Sequence, residues 1–289
     1  MKKYLRFTFI AIFSAGFIYS VITFVIYYGE ATSAEARIDE LRFTMMEEWD
    51  EEQNEIVTVA TKTPAQEDTD ENNETEPTEP TKPEEQVFEI RQRFRHLHKK
   101  NNDLVGWIKI PGTNIDYPVM QNKDDHLFYD RVNFDLERDE IGLPYLDIRC
   151  EIAPKNQIQI IFGHNIRRRG LIFNNLTLYE NKEFWEENQL IIYDTLYERA
   201  TYQIFAAIVY DARGIRKNDF QFHRYTHFST TRTFDTTEHN FEVYRNEIFD
   251  RALYDTKINF EITDHLLILA TCEYSTSNSR FVLFSKKIE

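Results

Sequence analysis

Hydrophobic positions along this chain change period several times, and each change predicts a different kind of element. The first pattern is continuous: from Phe7 to Tyr28 there are 22 residues without a charge, rich in Phe, Ile and Val. A helix of that length matches the about 30 Å hydrocarbon thickness of a bilayer. Lys2, Lys3 and Arg6 precede the run, and Glu30 and Glu35 follow it. That asymmetry predicts a cytoplasmic N-terminus and an exported remainder. Ala34-Glu35-Ala36 has the small-x-small form of a cleavage site. The apolar run is longer than the about 7–15 residues of a signal-peptide core, so the expectation is an uncleaved signal anchor over residues 1–29. Ile38, Leu41, Met45 and Trp49 then recur at helical spacing, predicting an amphipathic juxtamembrane helix within 30–56.

Residues 57–86 lose the pattern altogether. Between Thr61 and Glu85 the chain has four prolines, many acids and no aliphatic side chain larger than Ala. Such a segment buries too little apolar surface to offset its ordering entropy and reads as an extended linker. From Val87 the period returns. Val87, Ile90, Phe94 and Leu97 mark a helix ending near His98-Lys99-Lys100. "VGWIKIPGTNIDYPVMQ" reads as two strands split by Pro111-Gly112, and "IGLPYLDIR" and "QIQIIFGH" as two more. "GLIFNNLTLYENKEFWEENQ" has a helical pattern. "LIIYDTLYERATYQIFAAIVYDA" reads as a hairpin. Phe241, Tyr244, Ile248 and Ala252 share one face of a further helix, and "INFEITDHLLILATC" and "RFVLFSKKI" are the last strands. Many short strands interrupted by a few helices predict a closed β-barrel decorated by helices, spanning 87–289.

Composition alters this picture in one respect. The net charge of -15 is concentrated: fifteen acids against two bases lie between Glu47 and Gln86. The segment after residue 87 is close to balanced and carries no basic stripe, which argues against a nucleic-acid partner. Neither a Cys/His cluster of zinc spacing nor an EF-hand loop is present, so no metal or other cofactor is expected.

Candidate chemistry centres on Cys272, one of two cysteines. It ends an apolar run, precedes a polar loop, and is followed eight residues later by Arg280, where the last strand begins. A neighbouring cation lowers a thiol's pKa and favours the nucleophilic thiolate. Eight histidines offer themselves as partners. His96 and His98 fall on the first helix, and His126, His223, His227, His239 and His265 lie in polar or mixed contexts that predict surface roles. His164 differs: it ends the apolar strand "IQIIFGH" directly after Gly163, the placement of a catalytic group as much as of a hydrogen-bonded structural histidine. The alternative for an exported chain is a structural disulfide between Cys150 and Cys272 in a non-enzymatic binding domain.

The strand ending in Thr271-Cys272, the loop, and Arg280 opening the next strand resemble the signature of sortases. Gly163-His164-Asn165 is similar to the sortase histidine motif. "VGWIKIPGTNIDYPVMQ", "YLDIR" and the extra helix over 237–253 resemble class B sortases. Ile268-Leu269-Ala270 departs from the Thr-Leu-Ser common before the cysteine, and Cys150 has no counterpart in the family's chemistry. The resemblance implies a cysteine transpeptidase with Cys272 as nucleophile, His164 as general acid/base and Arg280 as oxyanion or substrate donor; Thr271 and Glu273 are candidate substrate contacts. It further implies a sorting motif in secreted proteins as substrate. The acyl acceptor would be an amine of a cell-wall cross-bridge or a pilin lysine, at the outer face of the cell membrane. A hydrolytic cysteine peptidase is the nearest rival.

Overall fold

The structure, a computed structural model, describes residues 2–60, 88–211, 221–228, 237–273 and 279–289, without the side chains of 2–11, 26–28, 30–31, 48–60, 210–211, 237–238 and 272–273. The chain divides into two compact units, Met1–Phe43 and Thr44–Glu289. Helix α1 runs Lys2–Ala60 without a break, joining the expected apolar span to the expected amphipathic segment. Within it, Ile12, Phe13, Phe17, Ile18, Phe24 and Val25 are exposed. Among the described residues no helix is long and apolar enough to cross a membrane. The linker from residue 61 to 86 lies outside the described residues.

Helix α2 occupies Gln92–Lys100 and buries Phe94 and Leu97. It begins later than its periodicity predicts, because Arg91 N–H donates to Leu196 O and keeps the chain extended up to that point (2.9 Å). Strands β1 (Leu104–Lys109) and β2 (Asp116–Met120) form the first hairpin. Its turn closes through Ile110 N–H to Ile115 O, with Gly112 in the left-handed region at φ +78°. A 3-10 turn at Phe128–Asp130 follows. Then come β3 (Tyr145–Leu146), β4 (Ile158–Phe162), and the short β5 (Asn165–Ile166) and β6 (Leu171–Ile172).

The stretch expected to be helical after β5 is in fact β6, a 3-10 helix at Asn174–Glu180 and the short α3 at Lys182–Glu187. Asn181 divides them: its side chain accepts from Glu183 N–H and Phe184 N–H and so caps a new helix. β7 (Leu190–Thr195) and β8 (Arg199–Asp211) form the expected hairpin. α4 covers Thr237–Arg251, and β9 (Leu266–Glu273) and β10 (Ser279–Lys287) end the chain.

Eight strands close a barrel in the order β1-β2-β3-β4-β9-β10-β8-β7, with β5 and β6 as a separate pair. Two contacts are parallel, β2 with β3 and β4 with β9. The near-continuous apolar runs of β4, broken only by the buried Gln159, and of β9 follow from burial on both faces: Ile158–Ile161 and Leu266–Thr271 are all inaccessible or nearly so. Gly106 sits where β1 meets β7, and a Cβ there would approach Asp194 O to 2.4 Å. Asp194 is itself buried and receives Arg93 Nη1 at 2.7 Å, pinning α2 to the barrel wall.

A second core lies under α4. Phe241, Tyr244 and Ile248 are buried as their spacing predicts, while Ala252 falls just past the helix end. Phe205 of β8 stacks on Phe260 at 4.7 Å, and Phe260 meets Phe241 edge-on at 5.5 Å. Phe260 belongs to an irregular approach to β9, not to the strand expected from Ile258 onward; Lys257 takes φ +62° there and turns the chain. Replacing Phe260 by Ala removes the ring that joins α4 to β8, so a loss of about 3–5 kcal/mol is expected. Chemical denaturation measures it, and a loss under about 1 kcal/mol would show that α4 is held by other contacts.

Candidate active site

Three strands set the site. β4 runs parallel to β9 with Phe162 opposite Ala270. Beyond that rung Gly163 N–H donates to Ala270 O (3.1 Å), and the Thr271 hydroxyl donates to Gly163 O (2.7 Å). The chain therefore carries His164 alongside Cys272 at the same end of the barrel. On the other side of β9, β10 is antiparallel and places Arg280 directly opposite Cys272, with Glu273 opposite Ser279. Cys272 and Arg280, eight apart in sequence, thus share one rung, and His164 follows directly on Gly163, which is bonded to Ala270 and Thr271 of the cysteine strand. The side chains of Cys272 and Glu273, and the loop 274–278, lie outside the described residues. Arg280 is half-buried and its Nη1 donates to Ser279 O at 3.2 Å.

Gly163 is required by its surroundings. A Cβ at that position would meet the Phe173 ring at 2.7 Å and Ile172 Cγ2 at 3.0 Å. The β5–β6 hairpin folds back on the lip of β4, and Phe173 N–H donates to His164 O (2.9 Å). Thr271, a candidate substrate contact, is buried, and its hydroxyl is engaged in tying the cysteine strand to the histidine strand.

One contact at His164 was invisible in the sequence. Nε2 lies 3.1 Å from Asp130 Oδ1 and 2.8 Å from the main-chain O of the same residue. The hydrogen bond to Asp130 raises the imidazole above its ordinary range, against the effect of burial and of the Arg131 charge. Reciprocally, the bond to His164 holds the Asp130 carboxyl below its ordinary range. Asp130 stands 34 residues upstream in an irregular segment with no periodicity. No pattern in the sequence marks it.

Cys150 differs from Cys272 in its setting. It is fully buried and free, which rules out the Cys150–Cys272 disulfide considered as an alternative. Its Sγ contacts Ile158 O at 3.5 Å, and burial pushes the thiol up to about 12. A thiol so protonated is inert as a nucleophile. Among the other histidines, His223 is half-buried, its ring 5.0 Å from that of Phe222. Burial, aided by Arg149, pushes it below its ordinary range. It is less exposed than its polar context predicts. Among the described residues no group of three or more His, Cys, Asp or Glu could hold a metal ion.

Comparison with known proteins agrees with this architecture. Sortase B of Staphylococcus aureus is 29% identical over 204 residues, covering 69% of this chain and 76% of that protein. Sortase B of Listeria monocytogenes is 31% identical over 187 residues, covering 64% and 69%. Among solved structures, the Staphylococcus aureus sortase B-substrate complex superposes with a TM-score of 0.57 at 27% identity, over 70% of this chain and 87% of that one. No family model matches the chain. Barrel and relatives together make this protein a cysteine transpeptidase of the sortase type. Within that class, the chain belongs to the sortase B family.

Three outcomes are expected from this geometry. Gly163→Ala forces Phe173 or the His164 backbone to move, and a destabilisation of about 1–3 kcal/mol is expected by thermal unfolding. Thiol titration with a maleimide should label one cysteine in the native protein and two after denaturation, because Cys150 is sealed. The ion pair also fixes a pH dependence of stability. Asp130's share is present above the ordinary carboxylate value and lost as pH falls through its lowered one; His164's share is complete below the ordinary imidazole value and lost as pH rises through its raised one. The melting-temperature gap between the protein and His164→Gln should therefore be widest at mildly acidic pH and close on both sides; a pH-independent gap would contradict the pairing.

Proposed function

We propose that this sortase cleaves a sorting motif in secreted proteins at the outer face of the cell membrane and transfers the acyl group to an amine. The observation that carries the reading is the pairing of Cys272 with Arg280 across β9 and β10, with His164 one residue beyond the Gly163 that is bonded to Ala270 and Thr271. In this reading the Cys272 thiolate attacks the carbonyl carbon of a threonine in the motif. The C–N bond breaks, His164 gives a proton to the departing amine, and a thioacyl enzyme remains. The acceptor amine then attacks that carbonyl, returns a proton to His164 and expels the thiolate, so that one amide replaces another with no net oxidation. Arg280 donates hydrogen bonds to the carbonyl oxygen as charge develops on it, a contribution worth about 3–4 kcal/mol where such a donor is lost. Glu273, beside the nucleophile, contacts the substrate.

The acceptor is an amine of a cell-wall peptide cross-bridge or of a pilin. Residues 1–29 act as a membrane anchor and 57–86 as a tether that lets the catalytic domain at 87–289 reach substrates themselves held at the membrane. The support for the anchor is the 22-residue uncharged run with basic residues before it.

A panel of threonine-containing sorting peptides, incubated with and without a short peptide amine and read by mass spectrometry, tests the chemistry. The expected result is a thioacyl adduct on Cys272 that is consumed by the amine to give the joined peptide. Cys272→Ala should abolish both, and Arg280→Ala should reduce transfer by about 100-fold or more. Joining that persists in Cys272→Ala, or hydrolysis unaffected by any amine, would overturn the assignment. Membrane fractionation of the full chain against one beginning at residue 30 tests the anchor.

A further inference from the structure

We propose that Asp130 is a positioning residue for His164: its carboxylate and its own main-chain carbonyl jointly hold the Nε2 proton, leaving Nδ1 as the nitrogen that gives and takes protons during transfer. The inference rests on the reading of His164 as general acid and assigns that role to one atom of the ring.

The argument begins with what faces Nε2. Asp130 O at 2.8 Å and Asp130 Oδ1 at 3.1 Å are both acceptors. A nitrogen between two acceptors must carry a proton, so the neutral ring is the Nε2–H tautomer and its lone pair is on Nδ1. The same two contacts fix the ring's orientation. When Nδ1 takes a proton, the imidazolium lies against a carboxylate, which favours the charged form a general acid needs.

Asp130 is held independently of His164. The preceding Tyr129 is buried, and its hydroxyl meets Asn101 and Asp103 at 3.0–3.2 Å. Leu143 N–H donates to Tyr129 O at 2.9 Å. Gly142, at φ +63°, packs so close that a Cβ would reach Asp130 O to 2.7 Å and Tyr129 O to 2.5 Å. A side chain at Gly142 would push away the carbonyl that Nε2 addresses. Among the described residues, the Asp130 carboxylate has a further ionic neighbour in Arg131 Nε at 3.5 Å. The ionisable groups set around the ring, among the described residues, are thus Asp130 of the 3-10 turn and Arg131 just after it, with Cys272 and Arg280 on the strands beside it. Within this set Asp130 dominates, raising the imidazole against both burial and Arg131.

The test measures the ring directly. In protein labelled with 15N-histidine and carrying Cys272→Ala, Nε2 should remain protonated throughout the His164 titration while Nδ1 changes. Asp130→Asn keeps the main-chain acceptor and the side-chain shape but removes the charge. It should lower the His164 pKa by about one unit, and shift the alkaline limb of the transfer profile, measured with a peptide that forms the Cys272 adduct, acidward by the same amount. Asp130→Glu should restore part of the shift. A merely structural role would alter melting temperature and leave both titrations in place. A lone pair on Nε2 in the unsubstituted ring, or an Asp130→Asn protein with unchanged ring pKa and alkaline limb, would overturn the proposal. The tautomer measurement needs no substitution at Asp130, so it decides even if that variant fails to fold. If His164→Ala abolishes transfer while Asp130→Asn changes nothing, only this proposal falls. If His164→Ala transfers at the full rate, the general-acid reading itself falls.

Discussion

Everything at the reactive end of this barrel depends on one parallel contact. β4 and β9 are far apart in sequence, yet their five-residue register from Ile158–Leu266 to Phe162–Ala270 decides which residue emerges beside Cys272. A slip of one position would exchange the faces of every side chain on the strand. The register is guarded at its end by the Thr271 hydroxyl on Gly163 O and by the Gly163 amide on Ala270 O. On the far side of β9 the antiparallel β10 needs no such guard, because the short connection from residue 274 to 278 already keeps Arg280 near Cys272.

Packing around that contact is divided between two cores. The barrel interior is filled by aliphatic strands and buried tyrosines such as Tyr117, Tyr193 and Tyr202. Outside β8, α4 and the segment through Phe260 build an aromatic layer on Phe205. Helix α2, bound through Arg93 to Asp194, closes another part of the wall. Each addition covers part of the outer face of the strand it packs on, α4 that of β8 and α2 that of the β1–β7 wall.

Much of this was legible in the residues themselves. The hairpin around Gly112, the face formed by Phe241, Tyr244 and Ile248, and the last two strands all follow from period and turn chemistry. The Cys272–Arg280 pairing and the lip position of His164 were readable because short-range spacing and a strand-ending glycine carry them. Other features left no trace. The break at Asn181 depends on a side chain choosing to cap a helix, whereas Asn122 accepts the same pair of amides two and three residues on without starting one there. Asp130 acts partly through its main-chain carbonyl, which every residue possesses, so its identity announces nothing. Cys150 could be paired or free on spacing alone; only its enclosure by Ile158 and its neighbours decides that it is free.

Closure of the sheet has one more effect. The eight strands leave the ring no terminal rung, so neither β1 nor β10 offers an open row of amides and carbonyls to another molecule. Among the described residues, the open strand edges that remain are those of the two-residue β5 and β6, so cross-chain extension of the barrel sheet itself finds no starting point.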